Sequence, residues 1–301
     1  FRPECRRIKK CPLCFSEFIR KDREYLYRES VREVLALYEK MKLIGKYKAE
    51  NIKLAGHVFR IEYRYEYFSE HCSEFFVDEA SEGDLNGTAE AVIRITDEDI
   101  DSEEKISDVE MTCGYYEALA VYRKICEYLI DHNIVLFHGS AIMAGGGAFI
   151  FTGPSGTGKS THARLWREYL GDRVTMINDD KPLVEFADTE VLRPVLTEEE
   201  IIVHGTPYSG KSHLHTNISA PLKAIVVLRK ADRNRIRRLG GREIFIHLYP
   251  QMYRPKTQDK TEKILDMLNR LGKMPVYLLE CTPSKEAVEL AWETLKGTVS
   301  D

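Results

Sequence analysis

Residues 147–166 read GAFIFTGPSGTGKSTHARLW, and the reading of this stretch decides the fold. An apolar run enters a loop, Gly153–Ser160, that fits G-x-x-x-x-G-K-[ST], and a good helix-forming segment follows. Strand, loop and helix in that order are what a phosphate-binding loop needs. Successive backbone N–H groups curl inward and the helix N-terminus adds partial positive charge. The lysine reaches the terminal phosphates and the last hydroxyl binds Mg²⁺. Downstream, Ala163, Leu165, Trp166, Tyr169 and Leu170 favour a helix, and Gly171 stands where a left-handed cap is expected.

Working outward, VLFHGSAIMAGGGAFIFTG predicts a strand, a glycine turn and a second buried strand ending at Thr152. VTMINDD predicts another buried strand, ending in Asp179 and Asp180 some twenty residues past the loop. A carboxylate at the end of a neighbouring parallel strand is placed to hold Mg²⁺. A second one beside it can accept a proton from an attacking hydroxyl. The plainer reading is a polar turn, where Asp and Asn are favoured. His138, in FHGSA, stands just before the loop strand, either as a satisfied structural histidine or facing a phosphate.

Residues 205–212, GTPYSGKS, fit the same pattern in a different context. IIVH before them reads as a strand, but Asn217, Ser219 and Pro221 stand where a following helix should propagate. As a second nucleotide loop this stretch fails. As a turn carrying His204, Tyr208 and Lys211 it could still face a substrate, or be an ordinary surface turn.

The rest of the chain is read from composition and periodicity. Of its 301 residues 43% are hydrophobic and 31% charged, the balance of a soluble globular protein. A net charge of −4 gives no basic footprint, which argues against nucleic acid, and no apolar run is long enough for a membrane span. Seven cysteines, an odd number, fit reduced thiols in a cytoplasmic protein better than a disulfide framework. Cys5, Cys11 and Cys14 cluster in CRRIKKCPLC, where free thiols are preferred over a zinc site lacking a fourth ligand. Residues 22–42 predict an amphipathic helix, HVFRIEYRYEYF and AEAVIRIT predict strands, and the acidic runs DEASEGD and DEDIDSEEK predict solvated loops. Helices are expected at 115–132, 256–271 and 284–296, with strands at LKAIVVLR and MPVYLLE. The boundaries that follow are a helical extension at 1–50, a small β-rich module at 51–112 and a nucleotide-binding domain at 113–301.

The string HGSA…GPSGTGKSTHARLW…NDDKPL…GTPYSGK…APLKAIVVL resembles the HPr kinase/phosphorylase family and related HPr-kinase-like proteins. The resemblance implies an α/β P-loop kinase domain of the HPr kinase/phosphoenolpyruvate carboxykinase type, preceded here by a smaller α+β region. It implies ATP and Mg²⁺ as cofactors. Gly153, Ser155, Gly156, Thr157, Gly158, Lys159, Ser160 and Thr161 would cradle the nucleotide. Lys159 would contact the transferred phosphate, Ser160 and Asp180 would hold the metal, and His138 would lie beside the reacting phosphate. Asp179 or Asp180 would be the base. Where that family carries a glutamate in E-x-x-G, this chain reads Ile202-Val203-His204-Gly205, and the phosphorylase segment is not evident. These departures weigh against HPr as acceptor and against phosphorolysis.

The expectation is a kinase passing the γ-phosphate to a hydroxyl, most simply a serine, of a peptide, protein or small molecule. Homo-oligomerisation stays open. Two alternatives stand beside it: a nucleotide-binding regulator without transfer chemistry, and carboxykinase-like transfer to a small carboxylate. The latter would need a basic clamp such as Arg229, Lys230 and the 233–238 run.

Overall fold

A computed structural model describes residues 47–78, 88–107, 110–187 and 200–298. The predicted helix at 22–42, the cysteines at 5, 11 and 14 and most of DEASEGD lie outside the described residues. The chain divides into two units, Phe1–Lys48 and Ala49–Asp301, and the candidate site lies wholly in the second.

A small sheet comes first, with strand order β3-β1-β2-β4: β1 (Lys48–Leu54), β2 (His57–Tyr63), β3 (Phe76–Val77) and β4 (Ala91–Arg94). In HVFRIEY the side chains of Phe59, Ile61 and Tyr63 alternate into the core, as period-2 patterning requires. The predicted strand stops at Tyr63, and EYFSEHC becomes helix α1 (Glu66–Cys72), which buries Phe68 and Cys72. The acidic run DEDIDSEEK is not a loop but helix α2 (Asp97–Ile106). Thr96 and Asp99 form a reciprocal capping box, three acids in the first turn suit the helix dipole, and Ile100 turns inward. Helix α3 (Cys113–Leu129) closes this core with Val121, Ile125 and Leu129.

The large sheet contains β5 (Ile134–Leu136), β6 (Gly139–Ala144), β7 (Gly147–Thr152), β8 (Val174–Asn178), β9 (Leu183–Phe186), β10 (Ile201–His204), β11 (Ser219–Lys230), β12 (Arg235–Arg238) and β13 (Val276–Cys281). Its spine is β11. Residues 219–221 pair with β10, 222–227 run parallel to β7, and 225–230 run parallel to β13. The run AFIF is buried on both faces. Ala148 and Ile150 join one apolar cluster, while Phe149 and Phe151 join the other. Helix α4 (Lys159–Leu170) covers the second face with Ala163, Leu165 and Trp166. Trp166 is fully buried, so truncating it to alanine should cost about 3–5 kcal/mol.

Three further helices follow among the described residues: α5 (Gly241–Leu248), α6 (Gln258–Leu271) and α7 (Lys285–Leu295). Ile264, Met267 and Leu268 of α6 face the first cluster, and Val288, Ala291 and Leu295 of α7 face the second. The sheet thus lies between helical layers, an α/β architecture. Three expectations need adjusting. The strand ahead of the glycine turn is broken at Phe137–His138 into β5 and β6. The strand bearing the two aspartates is not the immediate neighbour of β7, because β6 lies between and runs antiparallel to both. Gly171 does adopt a positive φ, but with φ 58° and ψ −134° it is not the left-handed helical cap expected.

Candidate active site

Leaving β7, the chain turns through Gly153, Gly156 and Gly158, all at positive φ, and enters α4 at Lys159. Gly158 has φ 101°, a conformation an L side chain rarely adopts, so the sequence needs glycine to aim the helix. The N-terminus of α4 has no side-chain cap. Its first-turn N–H groups and the positive end of its dipole therefore front the cavity that Gly156, Gly158, Ser160 and Thr161 help to line. Lys159 Nζ bends back onto the carbonyls of Gly153 and Pro154 at 3.1 and 3.5 Å. Burial lowers its pKa, against the opposing pull of Asp180 and Asp179.

The carboxylates are held by the turn that ends β8. Asn178, fully buried, accepts from the backbone N–H groups of Asp180 and Lys181 at 2.8 and 2.7 Å. Its amide donates to the carbonyl of Thr206 at 2.8 Å, which ties this turn to the second glycine loop. Asp179 is 5% exposed and accepts from Ser140 Oγ at 2.8 Å. Asp180 Oδ1 lies 3.3 Å from His138 Nε2, and its Oδ2 lies 3.1 Å from Lys181 Nζ. Burial pushes the Asp180 carboxyl up, but the hydrogen bond from His138 and the charge of Lys181 outweigh it, and the net shift is downward. Asp180 is thereby kept as the anion. His138 is fixed through its own backbone, whose carbonyl accepts from Thr152 Oγ1 at 2.8 Å and whose N–H donates to the carbonyl of Gln251 at 2.7 Å.

The second match to the loop pattern does not lead into an α-helix. It passes through a single 3-10 turn, Gly210–Ser212, and His213 at φ 50°, before β11. It nonetheless lies against the site. A Cβ built on Gly210, at φ 66°, would come within 3.1 Å of Asp180 Cβ and 3.2 Å of its Cγ. Lys211 lines the cavity, and Tyr208 lines it while stacking on Tyr122 at 3.9 Å between ring centroids. His204 does not line it. Its Nδ1 lies 2.7 Å from Ser219 Oγ and its Nε2 2.8 Å from Glu185 Oε2, placing the residue within the β9–β10–β11 ladder. A histidine near the motif in sequence is therefore spent on holding strands together.

One cavity of about 970 Å³ gathers the glycine loop, Lys159, His138, both aspartates and the second loop. A further wall is Tyr67 and His71 of α1, Met111, and Tyr115, Ala118 and Leu119 of α3. Burial, followed by the charges of His213, His215 and Lys181, lowers the His71 pKa to about 4. Sequence reasoning missed this wall, since no motif marks it. It also passed over Ser140 and Lys181, although HGSA and NDDK contain them. The arginines considered for a carboxylate clamp are absent from the cavity lining, and Arg229 and Arg237 pair instead with Glu280 and Glu243.

No family model matches the chain, and no curated protein does. Among solved structures it is similar to an HPr(Ser) kinase/phosphatase from Coxiella burnetii at 12% identity, over 45% of this chain and 90% of that one, with a TM-score of 0.24. No helix among the described residues is long and apolar enough to cross a membrane.

Proposed function

We propose that the protein is an ATP- and Mg²⁺-dependent phosphotransferase that passes the γ-phosphate to a hydroxyl, most simply a serine, of a peptide, protein or small molecule. The observation that carries this reading is the convergence, in one cavity, of an uncapped helix N-terminus, a lysine and two carboxylates. Open space beside Gly156 and Gly158 leaves room for phosphates against the loop backbone. Ser160, Asp179 and Asp180 supply hard oxygen donors of the kind Mg²⁺ prefers. When bound, the ion would neutralise charge on the phosphates.

The chain's own residues supply the rest. Lys159, released from the Gly153 and Pro154 carbonyls, reaches the terminal phosphates. Asp180, held ionised by His138 and Lys181, serves as metal ligand, with Ser160. Asp179, oriented by Ser140, stands as the acceptor's base. The α1–α3 residues and the second loop line the acceptor side.

The test is transfer from labelled ATP, to added hydroxyl acceptors or to water, by wild type, Lys159→Ala and Asp179→Asn. Each variant should lose about 100-fold or more in turnover while melting near the wild-type temperature. Full turnover in Lys159→Ala would overturn the reading. Tight ATP binding by the wild type without transfer or hydrolysis would favour a nucleotide-binding regulator instead.

A further inference from the structure

Away from the cavity, His57, Glu90 and His132 form a cluster with the chemistry of a metal site. Each offers one ligand atom, and the three atoms lie within 4.8 Å of one another. They come from distant parts of the chain: the start of β2, the residue before β4, and the 3-10 turn Ile130–His132 that follows α3. Their approach is built rather than incidental. The Glu90 backbone N–H donates to the carbonyl of Val58 at 2.8 Å, so the carboxylate is delivered beside the residue that follows His57. Glu90 Oε2 lies 2.8 Å from His57 Nδ1 and 3.4 Å from the Tyr128 hydroxyl. Tyr128 stacks on His132 at 4.6 Å and meets Phe59 edge-on at 5.3 Å, which fixes the second imidazole over an aromatic floor. The neighbouring Asp131 is committed elsewhere, to Lys260 and Lys263.

The position adds a second, independent reason for a cation here. His132 closes the 3-10 turn continuing a 17-residue helix, where carbonyl groups and the negative end of the dipole gather. Two imidazoles and one carboxylate are borderline donors. They suit Zn²⁺ and its neighbours rather than Mg²⁺ or Ca²⁺, which take oxygen ligands. Three protein ligands leave a fourth tetrahedral position for water.

We propose that His57, Glu90 and His132 bind one divalent cation of the zinc class, which clasps the small sheet to the C-terminal end of α3. The opposite end of the same helix carries Tyr115, Ala118 and Leu119 in the cavity wall. The ion therefore steadies the helix on which the acceptor side is built, without entering the transfer chemistry.

The experiment titrates the full chain, free of nucleotide, with Co²⁺ as probe and then Zn²⁺ as competitor. The expected result is one equivalent of cobalt giving the visible bands of a four-coordinate ion, bleached by zinc, with no thiolate-to-metal charge transfer in the near ultraviolet. The last feature separates this site from Cys5, Cys11 and Cys14. His132→Ala and the near-isosteric Glu90→Gln should each weaken binding by at least about tenfold, and the zinc-dependent rise in melting temperature should shrink in both. Melting of the metal-free variants beside metal-free wild type reports their folding directly. No cobalt spectrum, a spectrum carried by thiolate charge transfer, or wild-type affinity in folded Glu90→Gln would overturn the proposal.

Discussion

Gly210→Ala tests whether the second glycine loop is part of the working site. Gly210 sits at φ 66°, where an alanine costs about 1–2 kcal/mol of backbone strain. Its new Cβ would also press on Asp180 at 3.1–3.3 Å, and the carboxylate would have to yield by a few tenths of an ångström. Asp180 cannot yield freely, because it is held between His138 at 3.3 Å and Lys181 at 3.1 Å. Gly146→Ala separates the two effects. Gly146, in the β6–β7 turn, also has positive φ (73°), but a Cβ there meets nothing within 4 Å. Both variants should lose stability by about 1–2 kcal/mol, roughly 2–8 °C in melting temperature. Misplacing a catalytic group by 1 Å can cost about 100-fold, so a few tenths of an ångström should cost about three- to tenfold in ATP turnover. Only Gly210→Ala should show that loss, with nucleotide affinity, measured by calorimetry, nearly unchanged. If the two variants melt alike and turn over alike, the loop does not bear on the working carboxylate, and its place in the site is lost.

Two further outcomes follow from the packing. Thr96→Ala removes one half of the capping box on α2 and should lower stability by about 1 kcal/mol, read from the urea midpoint, while leaving nucleotide binding intact. His71 and His162, both held by burial at a pKa of about 4, bind fewer protons folded than unfolded between pH 6.5 and 4. Stability should therefore fall as the pH drops through that window, and His71→Gln should flatten part of the fall in urea midpoint between pH 7 and pH 5. An unchanged slope in His71→Gln would show that this histidine does not contribute.

What could be read early was local. AFIF, the glycine loop and THARLW each carry their structure in composition and short-range order, so β7, the loop and α4 follow from propensity and patterning. The acidic run misled because its net charge hides the short-range signals that make α2, the Thr96–Asp99 box and the inward Ile100. His204 misled because adjacency in sequence to a motif says nothing about strand pairing, and its partners Glu185 and Ser219 are reached only across the ladder.

The sequence by itself determined that GPSGTGKS is a strand-to-helix loop and that GTPYSGKS is not, since Asn217, Ser219 and Pro221 forbid the helix a phosphate loop needs. Only the tertiary structure decided where the second stretch lies. β6 inserts between β7 and β8, Asn178 ties the carboxylate turn to Thr206, and Gly210 is brought against Asp180. Backbone conformation is set by neighbours a few residues away, whereas a site is set by contacts between residues far apart in the chain, such as Asn178 with Thr206 (28 apart) and Cys72 with Tyr208 (136 apart). Such contacts form only when burial of the shared apolar faces brings the elements together.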